Sequence, residues 1–264
     1  MKIYDIHENV IYNGEQINAG FLNTAYMRLL KTISAGTVQG ACTDGTYIYY
    51  IIISLNELHK YNIFTGEDTY ITYTSGLYNH ANDMTYNPNT EKIYIATMQT
   101  NDSLRIVNPS TLADEGAISL KNGNGTIISV SGIAYNRDTN SYIASSGSNY
   151  YFYDSGFNYV STRTYDHGSE WTYQGLECDG NYIFRPIWQT GANAVDILTH
   201  SCVYVGQIEL PNNTEVETLI NNWDGVWYTN FNTPGAGGGL YFLGLYQNID
   251  YADADALARI AAGE

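Results

Sequence analysis

Three polar residues stand together in the phrase HANDMTY, as His80, Asn82 and Asp83, directly before an apolar β-pattern. Side chains of these types can transfer protons, accept hydrogen bonds or hold a polar ligand. Each also has a structural interpretation, because Asp commonly caps backbone amides and a His is often satisfied by its surroundings. The sequence leaves open whether His80 and Asp83 act on a ligand or stabilise a turn.

Carboxylates elsewhere in the chain could extend this cluster to acid–base chemistry. A trio of Asp83, Glu217 and Glu170, or Glu215 in place of Glu170, would provide the acid and base of a glycoside hydrolase or lyase. In inverting enzymes the acid and base lie about 6.5–9.5 Å apart. These carboxylates do not recur at one repeated register. The sequence contains no nucleophile elbow, metal-binding motif or glycine-rich phosphate loop. Catalysis therefore remains an alternative to ligand binding without any catalytic residue.

The elements that must position these residues come from an internal repeat. Each repeat reads as a short strand, a tight turn such as DG or NPNTEK, and a second apolar strand. The five copies are residues 38–51, 81–96, 131–145, 174–186 and 217–230. Aligned at Gly40, Asp83, Gly132, Gly175 and Ile220, they follow one another at intervals of 43, 49, 43 and 45 residues. Such spacing is typical of propeller blades with four strands.

The sequence therefore predicts an all-β fold, a five-bladed β-propeller of four-stranded blades. The fifth repeat ends before a fourth strand, so LLKTIS at 29–34 is expected to complete it and close the ring. The glycines of the alignment are expected where the innermost strands converge, because only small residues fit there. The predicted organisation is an N-terminal extension (1–28), the propeller (29–247) and a short C-terminal helix (248–264).

In a propeller, the loops that lead into the innermost strands share one face, at the mouth of the central channel, where ligands commonly bind. The alignment places ten residues there, in pairs two apart and so on one side of each strand. They are Thr37, His80, Ser129, Thr172 and Glu217, followed by Gln39, Asn82, Ser131, Gln174 and Leu219. Nine of the ten are polar or ionisable, which predicts a polar ring. Such a ring either holds a ligand or is satisfied by water and backbone.

Two tryptophans beside this ring, Trp171 and Trp188, suggest a sugar site, because an indole stacks on the apolar face of a pyranose. The alternative is that both wedge between blades. The predicted ligand-binding residues are His80, Asn82, Asp83, Gln39, Gln174, Trp171 and Trp188. Arg185, one of six arginines, is expected to pair with Glu170 or Glu177, or to clamp an anionic sugar substituent.

The charge composition of the chain limits the classes of partner that it is expected to bind. The chain has 11 Lys and Arg against 27 Asp and Glu, a net charge of −16, which disfavours nucleic acids and anionic membrane surfaces. It suits neutral sugars or a cationic partner, and spare carboxylates could hold Ca²⁺; no other cofactor is implied. No signal-peptide core or membrane-spanning run is visible, so neither Sec export nor membrane insertion is expected.

The phrase HANDMTYNPNTEKIYIA, with its weaker echoes SGIAYNRDTNSYIA and QGLECDGNYIF, resembles the propeller domains of bacteriophage tail and receptor-binding proteins of Gram-positive hosts. The repeat pattern covers about residues 30–247, and its specific part is 80–96. The resemblance implies a virion component, cytoplasmic before release, that binds a glycan or other host cell-surface polymer. It also implies contacts with other virion proteins, a homo-oligomer, and a ligand role for His80, Asn82 and Asp83. A structural virion or scaffold protein without a small ligand is a further alternative.

Overall fold

The computed structural model describes residues 3–4, 10–12, 24–34, 36–98, 103–211, 214–222, 226–232 and 238–246. Within these residues the chain is almost entirely β-structure, with one 3-10 turn at Ile53–Leu55. In chain order the strands are β1 (Ile3–Tyr4), β2 (Val10–Tyr12), β3 (Thr24–Thr32), β4 (Val38–Thr43), β5 (Tyr47–Ile52), β6 (Glu57–Asn62), β7 (Asp68–Thr72), β8 (Asp83–Asn87), β9 (Lys92–Ala96), β10 (Leu104–Val107), β11 (Asp114–Ile118), β12 (Gly132–Asn136), β13 (Ser141–Ser146), β14 (Asn149–Tyr153), β15 (Tyr159–Thr164), β16 (Thr172–Tyr173), β17 (Glu177–Cys178), β18 (Tyr182–Gln189), β19 (Ala192–Thr199), β20 (Tyr204–Glu209), β21 (Glu215–Asn221), β22 (Trp227–Asn232) and β23 (Gly239–Tyr246).

Strands β3 to β23 form the five predicted blades, and β1 and β2 pair with each other in a separate two-stranded sheet. Blades 1, 2 and 3 are the antiparallel sheets β4–β7, β8–β11 and β12–β15. In blade 4 the short strands β16 and β17 both pair with β18, which is followed by β19 and β20. Blade 5 is β21, β22 and β23, completed by β3. The five-bladed all-β prediction is confirmed.

The N-terminal closing strand is also confirmed. Strand β3 pairs antiparallel with β23 along its whole length, from Thr32 opposite Gly239 to Thr24 opposite Tyr246. It begins at Thr24, five residues before the segment that the sequence indicated. Because β3 precedes blade 1 in the chain and β23 follows blade 4, their ladder closes the ring. The predicted C-terminal helix, 248–264, lies outside the described residues.

Apolar side chains fill the spaces between the blades. In the described part of the chain, five hydrophobic clusters lie one at each interface between neighbouring blades. Between blades 1 and 2, for example, Ile51 and Leu58 pack with Met84 and Ile95. The inner strands are buried on both faces, whereas the outermost strand β7 has no fully buried residue. This explains why the second strands read as continuous apolar runs.

The innermost strands are joined at the propeller axis by Asp83, which is fully buried. Its Oδ2 accepts hydrogen bonds from the backbone N–H of Ile133 (2.8 Å) and of Leu176 (2.7 Å). Its Oδ1 accepts one from Thr218 Oγ1 (2.7 Å). One carboxylate on blade 2 thus bonds to blades 3, 4 and 5. The amide-capping role that the sequence left open for Asp83 is the one the structure shows.

The predicted need for glycine at this convergence is confirmed. A Cβ added at Gly40 would lie 2.7 Å from Asp83 Cα, and one at Gly175 would lie 2.8 Å from Asp83 Oδ1. Such separations are too short for any side chain without movement of the backbone or of the central carboxylate. Gly132 is equally crowded.

Within the residues that the structure describes, no helix has the length and apolar character needed to cross a bilayer.

Candidate functional site

The candidate site lies on the face where the chain enters the innermost strands, called the mouth below. Its residues were assigned by aligning the repeats, and in blade 5 that alignment is wrong by two residues. Thr218, not Ile220, stands at the level of Gly40 and Gly175, because Thr218 Oγ1 donates to Asp83. The sequence pattern did not reveal this, because blade 5 has a threonine at the level where blades 1, 3 and 4 have the glycine used for the alignment.

With this correction, Glu217 replaces Leu219 beside the axis, and Leu219 packs in the hydrophobic cluster between blades 4 and 5. The ring then has two layers, one below the other. The inner layer is Gln39, Asn82, Ser131, Gln174 and Glu217. The outer layer is Thr37, His80, Ser129, Thr172 and Glu215. All ten residues are polar, one more than the sequence predicted.

Amides of the inner layer bond one blade to the next. Gln39 Nε2 donates to Glu217 Oε1 at 3.1 Å, which links blades 1 and 5. Asn82 Nδ2 donates to the carbonyl of Ser131 at 2.7 Å, which links blades 2 and 3. These side chains are buried, and their amide groups are hydrogen-bonded to a neighbouring blade, so they form the floor of the mouth. In the outer layer His80 and Thr172 are exposed and the other three residues are half-buried, which makes this layer the part open to a ligand.

Glu215 and Glu217 form an acidic pair at the mouth. Burial, and then the charge of Glu215, raise the pKa of Glu217 well above its usual range, against hydrogen bonds from Asn232 and Gln39. Burial also raises the pKa of Glu215, against a 2.7 Å hydrogen bond from Gln174 and the charge of His80. His80 therefore lies close enough to Glu215 to interact across the mouth. A carboxyl with a raised pKa can donate a proton near neutral pH.

This pKa shift gives a stability prediction for Glu217→Gln. The folded protein holds a proton on Glu217 that the unfolded chain releases above its own, lower pKa, so the free energy of unfolding falls as pH rises between the two values. Glutamine does not titrate, and the Asn232 amide can rotate to accept from it. The variant is expected to be more stable than wild type at pH 8.

Urea unfolding at pH 4 and pH 8 measures the effect, which should vanish at the lower pH. Glu209→Gln, at an exposed glutamate, serves as the control and should change nothing. A wild-type protein as stable as Glu217→Gln at pH 8 would show that Glu217 is not buried as described.

The remaining predicted residues lie in different environments. Trp188 is half-buried and packs against the hydrophobic cluster between blades 4 and 5, the wedging interpretation. Trp171 is half-buried at the mouth, with its indole edge-on to the His167 ring at 5.2 Å. Glu170 is exposed, while Asp83 is fully buried at the axis. The alternative catalytic trio of Asp83, Glu217 and Glu170 thus occupies three distinct environments: the axis, the floor and an exposed loop.

The predicted ion pair of Arg185 with Glu170 or Glu177 is wrong. Glu177 accepts hydrogen bonds from the backbone N–H of Cys178 (2.8 Å) and of Asn221 (3.1 Å). Arg185 is fully buried between blades 3 and 4, and its Nη1 donates to Ser145 Oγ. The pairing failed because β18 turns Arg185 toward blade 3, away from both glutamates.

A histidine–aspartate pair that the sequence did not indicate lies beside Trp171. His167 Nδ1 is 2.7 Å from Asp196 Oδ2, and Gln207 Nε2 donates to Asp196 Oδ1 at 3.0 Å. The buried carboxylate fixes the orientation of the imidazole at the mouth. The two residues are 29 positions apart, on a loop and on a third strand, so no local motif connects them.

A pocket of about 230 Å³ opens at the mouth beside blade 3. It is lined by Met98, Ser129, Ser131, Ser146, Gly147 and Tyr173. Ser129 and Ser131 belong to the two layers, so the pocket is continuous with the ring. Tyr173 Oη accepts from the His167 backbone N–H at 2.6 Å and donates to Asp166 at 3.0 Å, which fixes its ring in the pocket wall.

Among the described residues, no group of three or more His, Cys, Asp and Glu side chains is arranged to hold a metal ion.

No protein-family model matches the sequence, and no curated protein matches it significantly. Solved structures do match. A calcium-binding protein, regucalcin, from Agrobacterium tumefaciens is 12% identical with a TM-score of 0.59, over 86% of this chain and 96% of that one. Glutaminyl cyclase from Myxococcus xanthus is 12% identical with a TM-score of 0.61, over 86% and 100%. A luciferin-regenerating enzyme is 11% identical with a TM-score of 0.55, over 84% and 97%. These similarities support the β-propeller fold alone.

Proposed function

We propose that this propeller binds a glycan at the mouth, in the pocket beside blade 3. The observation that carries the proposal is the pocket lining, which combines three serine hydroxyls with the ring of Tyr173 and the thioether of Met98. Hydroxyls donate and accept hydrogen bonds to sugar hydroxyls, and an aromatic ring packs on the apolar face of a pyranose. None of the six lining residues is charged.

Charge supports a sugar over a nucleic acid. The chain has a net charge of −16, and the outer layer carries Glu215 with His80 as its only basic residue. A phosphate backbone would be repelled from such a surface. A hydroxyl-rich ligand carries little charge and is not repelled.

The source of the glycan follows from the sequence resemblance. The phrase at 80–96 resembles propellers of bacteriophage receptor-binding proteins, and its His80 lies in the outer layer. We therefore infer that the ligand is a host cell-surface polymer and that the protein acts in a virion, with other virion proteins and as a homo-oligomer. Asn82 and Asp83 of the same phrase support the floor and the axis rather than facing the ligand.

A glycan-array screen tests the proposal. Wild-type protein is expected to bind a defined set of glycans, and His80→Ala, which removes an exposed outer-layer side chain, is expected to bind them several-fold more weakly. Asn181→Ala, on the turn that joins the first two strands of blade 4 at the opposite face, should bind as wild type does. Because regucalcin is described as calcium-binding, the screen is run with calcium and with chelator. Loss of binding in chelator would indicate that Ca²⁺ bridges the ligand, and no binding in either condition would favour a structural role.

Hydrolysis is a second candidate function, supported by the acidic pair. The raised pKa of Glu217 beside Glu215 suits a general acid. Any glycan bound on the array is incubated with wild type and with Glu217→Gln, and products are separated by chromatography. Product from wild type alone would make Glu217 a catalytic residue, whereas binding without product would support a binding protein.

A further inference from the structure

Arg185 is a buried cation without a carboxylate partner. It has no exposed surface, and among the described residues only its Nη1 has a hydrogen-bond partner, Ser145 Oγ, while Nε and Nη2 have none. The rings of Tyr150 and Tyr173 lie 5.8 and 5.2 Å from its Cζ. A buried charge is costly unless another charge or polar groups compensate it, so an unused pair of donors here requires an explanation.

The acidic groups near Arg185 are already occupied. Asp83 and Asp196 are the carboxylates whose charge acts on Arg185, but neither forms an ion pair with it. Asp83 accepts from two backbone N–H groups and from Thr218, and Asp196 bonds to His167 and Gln207. The positive charge of the guanidinium is thus left without a directly bonded anion.

Arg185 lies one layer below the mouth pocket. Tyr173 forms both the pocket wall and one of the rings over the guanidinium. Ser131, in the pocket lining, donates to the carbonyl of Ser145, whose hydroxyl accepts from Arg185. The guanidinium of Arg185 also packs closely against the backbone of Gly132, because a Cβ added to Gly132 would lie 2.9 Å from Arg185 Nη1. The uncharged, hydroxyl-lined pocket therefore has a positive charge directly beneath it.

We propose that this pocket recognises the carboxylate of an acidic sugar, with the hydroxyls of Ser129 and Ser146 donating to it and Arg185 supplying the positive charge below. The inference rests on the proposed glycan-binding function and specifies its ligand class. The low dielectric between the pocket and the buried guanidinium strengthens the attraction between the sugar carboxylate and Arg185, although the protein surface as a whole is acidic. A single guanidinium balances a single charge, which suits a monovalent carboxylate better than a divalent phosphate.

Saturation-transfer NMR at pH 7 with D-glucuronate, D-galacturonate and N-acetylneuraminate tests the proposal, with D-glucose and D-galactose as neutral counterparts. At least one acid is expected to bind wild type with a Kd at least 10-fold below that of the neutral sugars. Arg185→Gln is expected to lose that preference, while Arg163→Gln, at an exposed arginine, should keep it. Ser146→Ala, in the pocket lining, should weaken acid binding several-fold and serves as the test if Arg185→Gln does not fold.

Three results would overturn the inference: equal binding of acids and neutral sugars, retention of the acid preference in Arg185→Gln, or no binding of any of the three acids. If any of these results is obtained but neutral glycans still bind at the mouth on the array, the proposed glycan-binding function remains supported. If no glycan binds on the array, both the proposed glycan-binding function and the inferred preference for acidic sugars are wrong.

Discussion

Replacing Asp83 by alanine is expected to lower the free energy of unfolding by about 4 kcal/mol or more, the largest effect of any single polar substitution described. The carboxylate accepts from Ile133 N–H, Leu176 N–H and Thr218 Oγ1 at the propeller axis. The two buried backbone amides would be left without a partner, at roughly 1–3 kcal/mol each, whereas the Thr218 hydroxyl could still donate to the Leu219 carbonyl at 3.3 Å. Because the three donors belong to three different blades, the loss would loosen the ring as a whole. Urea unfolding followed by tryptophan fluorescence measures the change.

Asp83→Asn is the matched control. Its Oδ1 can still accept from both backbone amides while its Nδ2 donates to the threonine, so a loss of only about 1–2 kcal/mol is expected. Burial raises the pKa of Asp83 to about 7, against its hydrogen bonds. Wild type should therefore lose stability as pH rises from 4 to 7, and the asparagine variant should compare more favourably at the higher pH. If alanine is tolerated as well as asparagine, the central carboxylate does not hold the blades together.

The second large effect is expected for Gly40→Ala, with a loss of about 3 kcal/mol. The added Cβ would lie 2.7 Å from Asp83 Cα and 2.8 Å from the Ala81 carbonyl oxygen. Both are backbone atoms, so relief requires blade 1 to move away from blade 2. That movement would also stretch the 2.9 Å hydrogen bond from Gly40 N–H to the same carbonyl. Thermal unfolding provides the measurement.

Gly156→Ala is the control, because Gly156 is exposed and the nearest atoms to its added Cβ belong to side chains at 3.2 and 3.4 Å. This variant should unfold within a few degrees of wild type. An equal loss in both variants would mean that crowding at the axis is not the cause.

The fold could be predicted because each blade carries its own local signals. Turn residues, apolar second strands and a near-constant interval mark five similar units, and the missing twentieth blade strand indicated closure by the N-terminal segment. The helix at 248–264 has the same kind of local support and stays a prediction. What the pattern could not show was the alignment of blade 5, because Thr218 stands there where blades 1, 3 and 4 have glycine.

The polar ring could be predicted in position, but the roles of its residues could be predicted less well. The repeats located the mouth, and the polar ring is there. The roles depend on contacts between blades, which arise from residues about 40 to 200 positions apart, such as Gln39 with Glu217. Sequence reasoning therefore ranked Asp83 with the ligand residues and missed Glu215 as a ring member and the His167–Asp196 pair. It expected Glu170 or Glu177 as the partner of Arg185, because a guanidinium matches the geometry of a carboxylate.

Titration calorimetry with the tightest-binding array glycan tests most directly whether the ligand binds at the mouth. The ligand is titrated into wild type, into the double variant Ser129→Ala/Ser131→Ala, and into Asn181→Ala on the opposite face. Removing two pocket hydroxyls is expected to weaken binding about 10-fold or more, about 1.4 kcal/mol, with no change for Asn181→Ala. Unchanged affinity in the double variant, or an equal loss in Asn181→Ala, would show that the ligand does not bind at the mouth.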